Sequence, residues 1–401
     1  MPSKTGLLLI SEHNLAEIQD FLKSASDSGV ERLYVRLSIC QTDDLISKIY
    51  LLSANLCPKV DVRILAKPLN PSEPDVQLFG SEKPLENSGR IEKKYKKVVL
   101  GGTFDRLHNG HKVLLNKAIE LASEEIVVGV TDKEMIIKKS LYEMIEPVEY
   151  RMRKVVEFVE DVSGEAKCTT EPIIDPFGPS TRIPDLEAII VSRETVKGGD
   201  AVNKRRLENG MSQLEVIVVE LVEGSDVILN ETKISSSSRR REDLGRLLRP
   251  VQNPRTPYLV NLNGGSGSGK EDIGEMLKGK AGIQILNWDE ISEEEKSQVL
   301  KSEASRVSKE KVIVLLSSDP LDSTHGISEI WSIFLPSSET IKRIIEKNPE
   351  ISEDVAKERL QAEIQNKERI EKCHVAFCTL WSEQETKQQV ERAVKELMKR
   401  I

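Results

Sequence analysis

Short runs rich in Leu, Ile and Val recur along this chain, and helical patterns alternate with them. GLLLI (6–10), RLYVRL (32–37), VDVRIL (60–65), KKVVLGG (96–102), EIVVGV (125–130), CTTEPII (168–174), LEAIIVS (186–192) and LEVIVVELV (214–222) read as buried strands. Between them, residues 14–29, 42–56, 110–122 and 150–162 carry apolar side chains at helical spacing. Strands of this kind, separated by helices, build parallel sheets through right-handed crossovers. YLVNL (258–262), VIVLLSS (312–318) and IWSIFLP (330–336) repeat the pattern, with a helix expected at 271–279 and polar-faced helices at 352–373 and 382–401. The expected class is α/β throughout: a small N-terminal α/β domain, a Rossmann-like doubly wound domain and a C-terminal P-loop α/β domain.

Two proline-bearing polar stretches, 67–89 and 249–257, interrupt this alternation. Proline fixes φ and lacks a backbone donor, so such stretches rarely lie inside helices or sheets. The expected division is 1–66, a linker at 67–94, 95–249, a linker at 250–256, and 257–401. Residues 1–66 contain no chemical motif and read as structural or docking. A net charge of −8 argues against a nucleic-acid partner. No apolar run approaches the roughly 20 residues that span a bilayer. MPSKTGLLLI reads as a strand rather than a signal peptide. The five scattered cysteines form no C-x-x-C pair, which fits a reducing compartment without a zinc site. The expected location is cytoplasmic, with association to mitochondria left open.

The strongest chemical signal is GGTFDRLHNGHK, Gly101 to Lys112. A strand runs into two glycines, and a helix starts near Gly110 with His108 and His111 at its mouth. Glycine lets a ligand approach the backbone. A helix N-terminus offers free N–H groups and the positive end of a dipole to phosphate, and histidine adds a donor for developing phosphoryl charge. About 130 residues later ISSSSRR, Ile234 to Arg240, opens another helix.

These two stretches resemble the H-x-G-H and I-S-S-[ST]-x-x-[RK] signatures of the nucleotidyltransferases. Together with VVGVTDKEM, LGRLLRP and a following P-loop, they make the chain similar to the eukaryotic bifunctional coenzyme A synthases. The resemblance implies transfer of AMP from ATP to 4′-phosphopantetheine, giving dephospho-coenzyme A and pyrophosphate, with Mg2+ accompanying ATP. It implies that Thr103 and the amides of Gly102 and Phe104 hold the incoming phosphate, in a binding stretch that includes Gly101 and Asp105. His111 is expected at the α-phosphate, His108 on the triphosphate and Lys133 on the attacking phosphate. Ser235, Ser236 and Ser237 are expected on ATP, with Ser236, Ser237 and Arg240 at its β- and γ-phosphates. Arg151 is a pantetheine-side candidate, and Thr195 and Gly198 lie where the family reads adenine. A cytidylyltransferase and a catalytically inactive adapter remain as alternatives.

NGGSGSGKED satisfies the P-loop pattern from Gly264 through Gly269 to Lys270 and then departs from it, because the hydroxyl that ligates magnesium is replaced by Glu271. Asn287 and Val314 stand where the resemblance calls for acidic residues, and only 22 residues separate Asp289 from VIVLLSS, room for one charged helix. The expectation is a degenerate dephospho-coenzyme A kinase-like domain, with a separate kinase completing coenzyme A. Full bifunctionality is the alternative.

Overall fold

The computed structural model describes residues 4–39, 43–67, 76–80, 93–163, 165–220, 236–252, 254, 257–306, 312–321 and 325–401. Ser235, the end of the run at 214–222 and most of the stretch at 67–94 lie outside them. Among the described residues the strands form three parallel sheets. The first comprises β1 (Thr5–Ile10), β2 (Arg32–Leu37), β3 (Asp61–Ile64) and β4 (Val76–Gly80), in the order β3-β2-β1-β4. The second holds β5 (Tyr95–Gly102), β6 (Ala122–Thr131), β7 (Lys167–Ile173), β8 (Ala188–Ser192) and β9 (Glu215–Val219), in the order β7-β6-β5-β8-β9. The third holds β10 (Tyr258–Gly264), β11 (Ile283–Asn287), β12 (Val312–Ser317), β13 (Glu329–Phe334) and β14 (Val375–Cys378), in the order β11-β12-β10-β13-β14.

Several expectations need correction. β4 lies inside the stretch read as a linker; it is five residues long and pairs with β1 at the sheet edge, where proline-flanked strands are tolerated. The stretch 352–373 is two helices, Glu353–Ala362 and Asn366–Lys372, broken where Glu363 and Gln365 adopt extended backbone. β11, β14 and the helices Val196–Glu208 and Ser337–Lys347 fall outside the sequence expectations. The single charged helix expected after Asp289 is present at Glu293–Arg306.

The chain divides into two compact units, one of Met1–Lys139 with Ile145–Ser238, the other of Ser140–Met144 with Arg239–Ile401. The first and second sheets therefore belong to one unit. Leu8, Val35 and Ile64 of the first sheet share a continuous buried core with Val98, Ile119 and Val159. Polar links reinforce it. Tyr34 Oη donates to Asp161 at 2.8 Å, and Arg63 Nη1 donates to the same carboxylate at 2.7 Å. In the second unit, Val260, Trp331 and Phe377 pack with Val390 and Leu397 of the last helix, Glu383–Leu397. Buried Glu329 accepts from Trp331 Nε1 at 2.7 Å and from Arg400 at 2.9 and 3.0 Å, tying down the end of the chain. Among the described residues no helix is long and apolar enough to cross a membrane.

Burial alone would raise the Asp61 carboxyl, but Lys112 and Arg63 hold it down at about 2, against roughly 3.9 for a free aspartate. A carboxyl whose folded pKa is depressed stabilises above its unfolded pKa and loses that contribution as pH falls through the folded value. Thermal melts of the protein and of Asp61→Asn should therefore differ most above about pH 4 and converge as the pH drops toward 2. A constant gap over that range contradicts the pairing.

Candidate active site

In the second sheet the chain runs outward to one side through β5, β6 and β7 and to the other through β8 and β9. The strand order reverses between β5 and β8, and open α/β sheets bind ligands beyond the carboxyl ends of such strands. The turn Gly101–His108 leaves β5 at this point. The segment Ser192–Thr195 leaves β8 beside it, and Asp132–Lys133 follows β6 on the other side.

The turn is held in an unusual shape. Phe104 and Arg106 have φ of 49° and 48°, and Lys133 has 45°. Left-handed backbone at non-glycine residues costs about 1–3 kcal/mol each and persists where the surroundings enforce it. Here the enforcing group is Arg151, fully buried on helix Val148–Val162. Its Nη1 donates to the carbonyls of Thr103 at 2.6 Å and Thr131 at 2.9 Å, and its Nε donates to Glu146 O at 2.7 Å. Arg151 thus ties the ends of β5 and β6 together, while its Nη2 has no hydrogen-bond partner among the described residues. Asp105 is also fully buried, its Oδ1 accepting from the Glu146 amide at 3.0 Å and from Arg106 at 3.1 Å. The Phe104 ring is buried as well, and a Cβ on Gly102 would sit only 3.0 Å from it, so any larger residue there pushes against the ring.

Other polar side chains gather around the turn. Thr103, half-buried, accepts from Thr131 Oγ1 at 3.0 Å and keeps its own hydroxyl proton to donate. His108 precedes the first turn of helix Asn109–Leu121, and its ring stacks on His111 at 3.8 Å between centroids. The His108 amide points at His111 Nδ1 at 3.4 Å, which places the His111 proton on Nε2. Lys133 is exposed. The second signature meets the first directly: Ser236 Oγ, at the start of helix Ser236–Asp243, donates to the Asp105 carbonyl at 3.0 Å. Ser237 follows it in the same turn, half-buried. Thr195 caps the turn after β8 through Ser192. Gly198 lies exposed on helix Val196–Glu208, and a Cβ added there would meet open space to 4 Å. Arg240 belongs to the second unit, buried, donating to Ser140 O at 2.9 and 3.1 Å.

The P-loop of the second unit has its own arrangement. Gly267 and Gly269 take φ of 70° and 85°, and helix Lys270–Leu277 follows. Lys270 Nζ donates to Asp289 at 3.0 Å and to Ser318 Oγ at 3.3 Å. Burial works against the Asp289 charge, but Ser318 and Lys270 outweigh it and hold this carboxyl below the usual range. The Glu363 carboxylate reaches into the loop and accepts from the Ser266 amide at 3.0 and 3.2 Å and from the Ser266 hydroxyl. Ser268 Oγ is buried without a hydrogen-bond partner among the described residues. Gly264 is buried in β10, and Glu271 and Asn287 are exposed. Glu363 is invisible in the sequence because it lies within a helical pattern.

A family profile described as cytidylyltransferase-like matches residues 99–242. A phosphopantetheine adenylyltransferase of Pyrococcus furiosus is 43% identical over 164 residues, covering 41% of this chain and 96% of the relative. The chain belongs to the cytidylyltransferase-like family. Its middle region is similar to phosphopantetheine adenylyltransferases. That of Saccharomyces cerevisiae is 38% identical over 148 residues, or 37% of this chain, which spans about half (48%) of that relative's length. A crystal structure of a protein of unknown function from Archaeoglobus fulgidus is 32% identical, with 33% of this chain and 96% of that chain covered and a TM-score of 0.29.

Arg151→Met should destabilise the fold by roughly 2–5 kcal/mol, because it strands the carbonyls of Thr103, Thr131 and Glu146. Gly198→Ala should instead be neutral or stabilise by up to about 1 kcal/mol, since alanine is the better helix former and the space is open. Denaturant titration of both variants checks this; a neutral Arg151→Met would show that the turn does not depend on the guanidinium.

Proposed function

We propose that the middle region transfers the AMP half of ATP to 4′-phosphopantetheine, releasing pyrophosphate and forming dephospho-coenzyme A. The observation that carries this reading is the meeting of two phosphate-suited helix starts: Ser236 hydrogen-bonded to Asp105 O within the turn that leads to His108 and His111. The names of the Pyrococcus and Saccharomyces relatives support the choice of substrates.

In this reading the terminal phosphate oxygen of phosphopantetheine attacks the α-phosphorus of ATP. A new P–O bond forms as the bond to the β-phosphate breaks, and the electron pair leaves with pyrophosphate. The substrate is its own nucleophile, so the protein contributes alignment and charge stabilisation. Thr103 donates its hydroxyl proton to the incoming phosphate, with the Gly102 and Phe104 amides beside it. His111 donates from Nε2 to an α-phosphate oxygen, and His108 lies toward the triphosphate. Lys133 meets the attacking phosphate, and the Ser236 and Ser237 backbone amides at the helix start meet the leaving group. Thr195 and Gly198 lie on the adenine side. Arg240 is left out of this arrangement because it lies buried in the other compact unit, donating to Ser140 O, and Arg151 and Asp105 are assigned to holding the turn.

Among the described residues no group of three or more His, Cys, Asp or Glu is placed to hold a metal ion. Magnesium fits this site as a companion of the ATP phosphates, because it keeps several waters and needs few protein ligands. When bound it supplies charge neutralisation for the leaving pyrophosphate.

The second unit is read as a kinase-like domain that does not phosphorylate dephospho-coenzyme A. A phosphate entering its loop must displace the Glu363 carboxylate. Lys270 is already paired with Asp289, and Asn287 cannot take a proton. A separate kinase acting on dephospho-coenzyme A then completes the product.

His111→Ala should lower pyrophosphate release from ATP and phosphopantetheine about 10²–10³-fold, the usual cost of a lost charge-stabilising donor, while the melting temperature stays near that of the parent. Turnover within about twofold of the parent by a folded His111→Ala protein contradicts the assignment.

A further inference from the structure

The helix that carries His108 and His111 at its start has a second polar face. Asn109, Lys112 and Asn116 are three and four residues apart, so they form one stripe. Lys112 and Asn116 are buried, although neither type favours burial without a partner.

Their partners come from residues 50–64, outside the region that matches the family. Asn109 Nδ2 donates to Tyr50 O at 2.8 Å and to Ser53 Oγ at 3.1 Å. Lys112 Nζ donates to Asp61 Oδ1 at 2.6 Å and to Val62 O at 2.8 Å. Asn116 Oδ1 accepts from Tyr50 Oη at 2.8 Å, and its Nδ2 donates to Ile64 O at 3.0 Å. Tyr50 Oη in turn accepts from the Ile64 amide at 3.2 Å. Tyr50 and Ser53 lie on helix Asp43–Leu56, Asp61 to Ile64 are β3, and all belong to the same compact unit as the histidines.

Two features make this more than packing. Asn109 lies between His108 and His111 in the chain, so whatever holds Asn109 holds the backbone of both. The bonds also run to main-chain carbonyls and a half-buried carboxylate, which fix rotation of the helix about its axis more tightly than apolar contact does. A rotation of the first turn displaces the imidazoles from the reacting phosphates, and misplacement of about 1 Å can cost a hundredfold in rate.

We propose that the N-terminal α/β segment sets the register of this helix, with Asn109, Lys112 and Asn116 as positioning residues that hold His108 and His111 for phosphate chemistry through Tyr50, Ser53 and Asp61. The inference rests on the adenylyl-transfer reading for its kinetic consequence, but the placement of the histidine rings is a consequence independent of any reaction.

The test uses the full chain with Asn109→Ala, Tyr50→Phe, and Asp61→Asn and Lys112→Met singly and combined. Two readouts are taken: pyrophosphate release with ATP and phosphopantetheine varied separately, and the imidazole proton NMR signals. Asn109→Ala and Lys112→Met should each lower kcat about tenfold with both KM values within about twofold. The Asp61→Asn/Lys112→Met double variant should fall no further than Lys112→Met alone, because the pair acts as a unit. Tyr50→Phe, a near-isosteric change remote from any ligand, should shift the His108 and His111 ring signals and leave those of His13 and His374 in place. Wild-type kcat in folded Asn109→Ala, or unmoved His108 and His111 signals in Tyr50→Phe, overturns the proposal. If the parent protein releases no pyrophosphate, the substrate assignment fails and the ring signals alone decide this inference.

Discussion

One buried guanidinium organises the candidate site. Arg151 spans the carboxyl ends of β5 and β6 by donating to the Thr103 and Thr131 carbonyls. Those carbonyls end two paired strands of a sheet whose regular ladder stops there, so without the arginine they face the interior with reduced satisfaction. With it, the turn holds Phe104 and Arg106 in left-handed backbone, buries the Phe104 ring beneath Gly102, and delivers the chain to His108 at the head of the next helix. The same turn offers the Asp105 carbonyl to Ser236. Each later feature of the site therefore inherits its position from the strand ends.

The chain contains two strand–glycine–helix turns that suit phosphate, and they differ in what fills them. At the end of β5 the Thr103 hydroxyl keeps a proton to donate, and the stacked imidazoles of His108 and His111 lie at the head of the next helix. At the end of β10 an acceptor from the chain itself already occupies the loop, because Glu363 takes the Ser266 amide and hydroxyl. A carboxylate is a fair substitute for a phosphate oxygen at a ring of N–H groups. This internal substitution agrees with the loss of the hydroxyl at Glu271 and with the pairing of Lys270 to Asp289. The two turns share a motif class, and the composition around them separates their roles.

Much of the fold is legible in the sequence because buried parallel strands are continuous apolar runs. KKVVLGG and VIVLLSS read clearly for that reason. β4, β11 and β14 are four or five residues long, too short for periodicity to separate from loop, and β4 sits among prolines. In the site, His108 and His111 are legible from their spacing after two glycines. The role of Arg151 is not, because an arginine on an amphipathic helix ordinarily faces water, and its burial depends on carbonyls supplied by strands far away in sequence. Asp105 is hidden for the same reason: its partners, the Glu146 amide and Arg106, are set by the turn's shape. The polar stripe Asn109, Lys112 and Asn116 has the pattern of an ordinary solvated face, and only the placement of the first sheet shows that it is covered.

Whether this chain joins AMP to phosphopantetheine and stops there is tested most directly by incubating the full chain with ATP, Mg2+ and 4′-phosphopantetheine and resolving the thiol products by chromatography. Dephospho-coenzyme A and pyrophosphate should accumulate in equal amounts with no coenzyme A. Absence of both products contradicts the transferase assignment, and coenzyme A formed in a Lys270-dependent manner contradicts the reading of the P-loop unit.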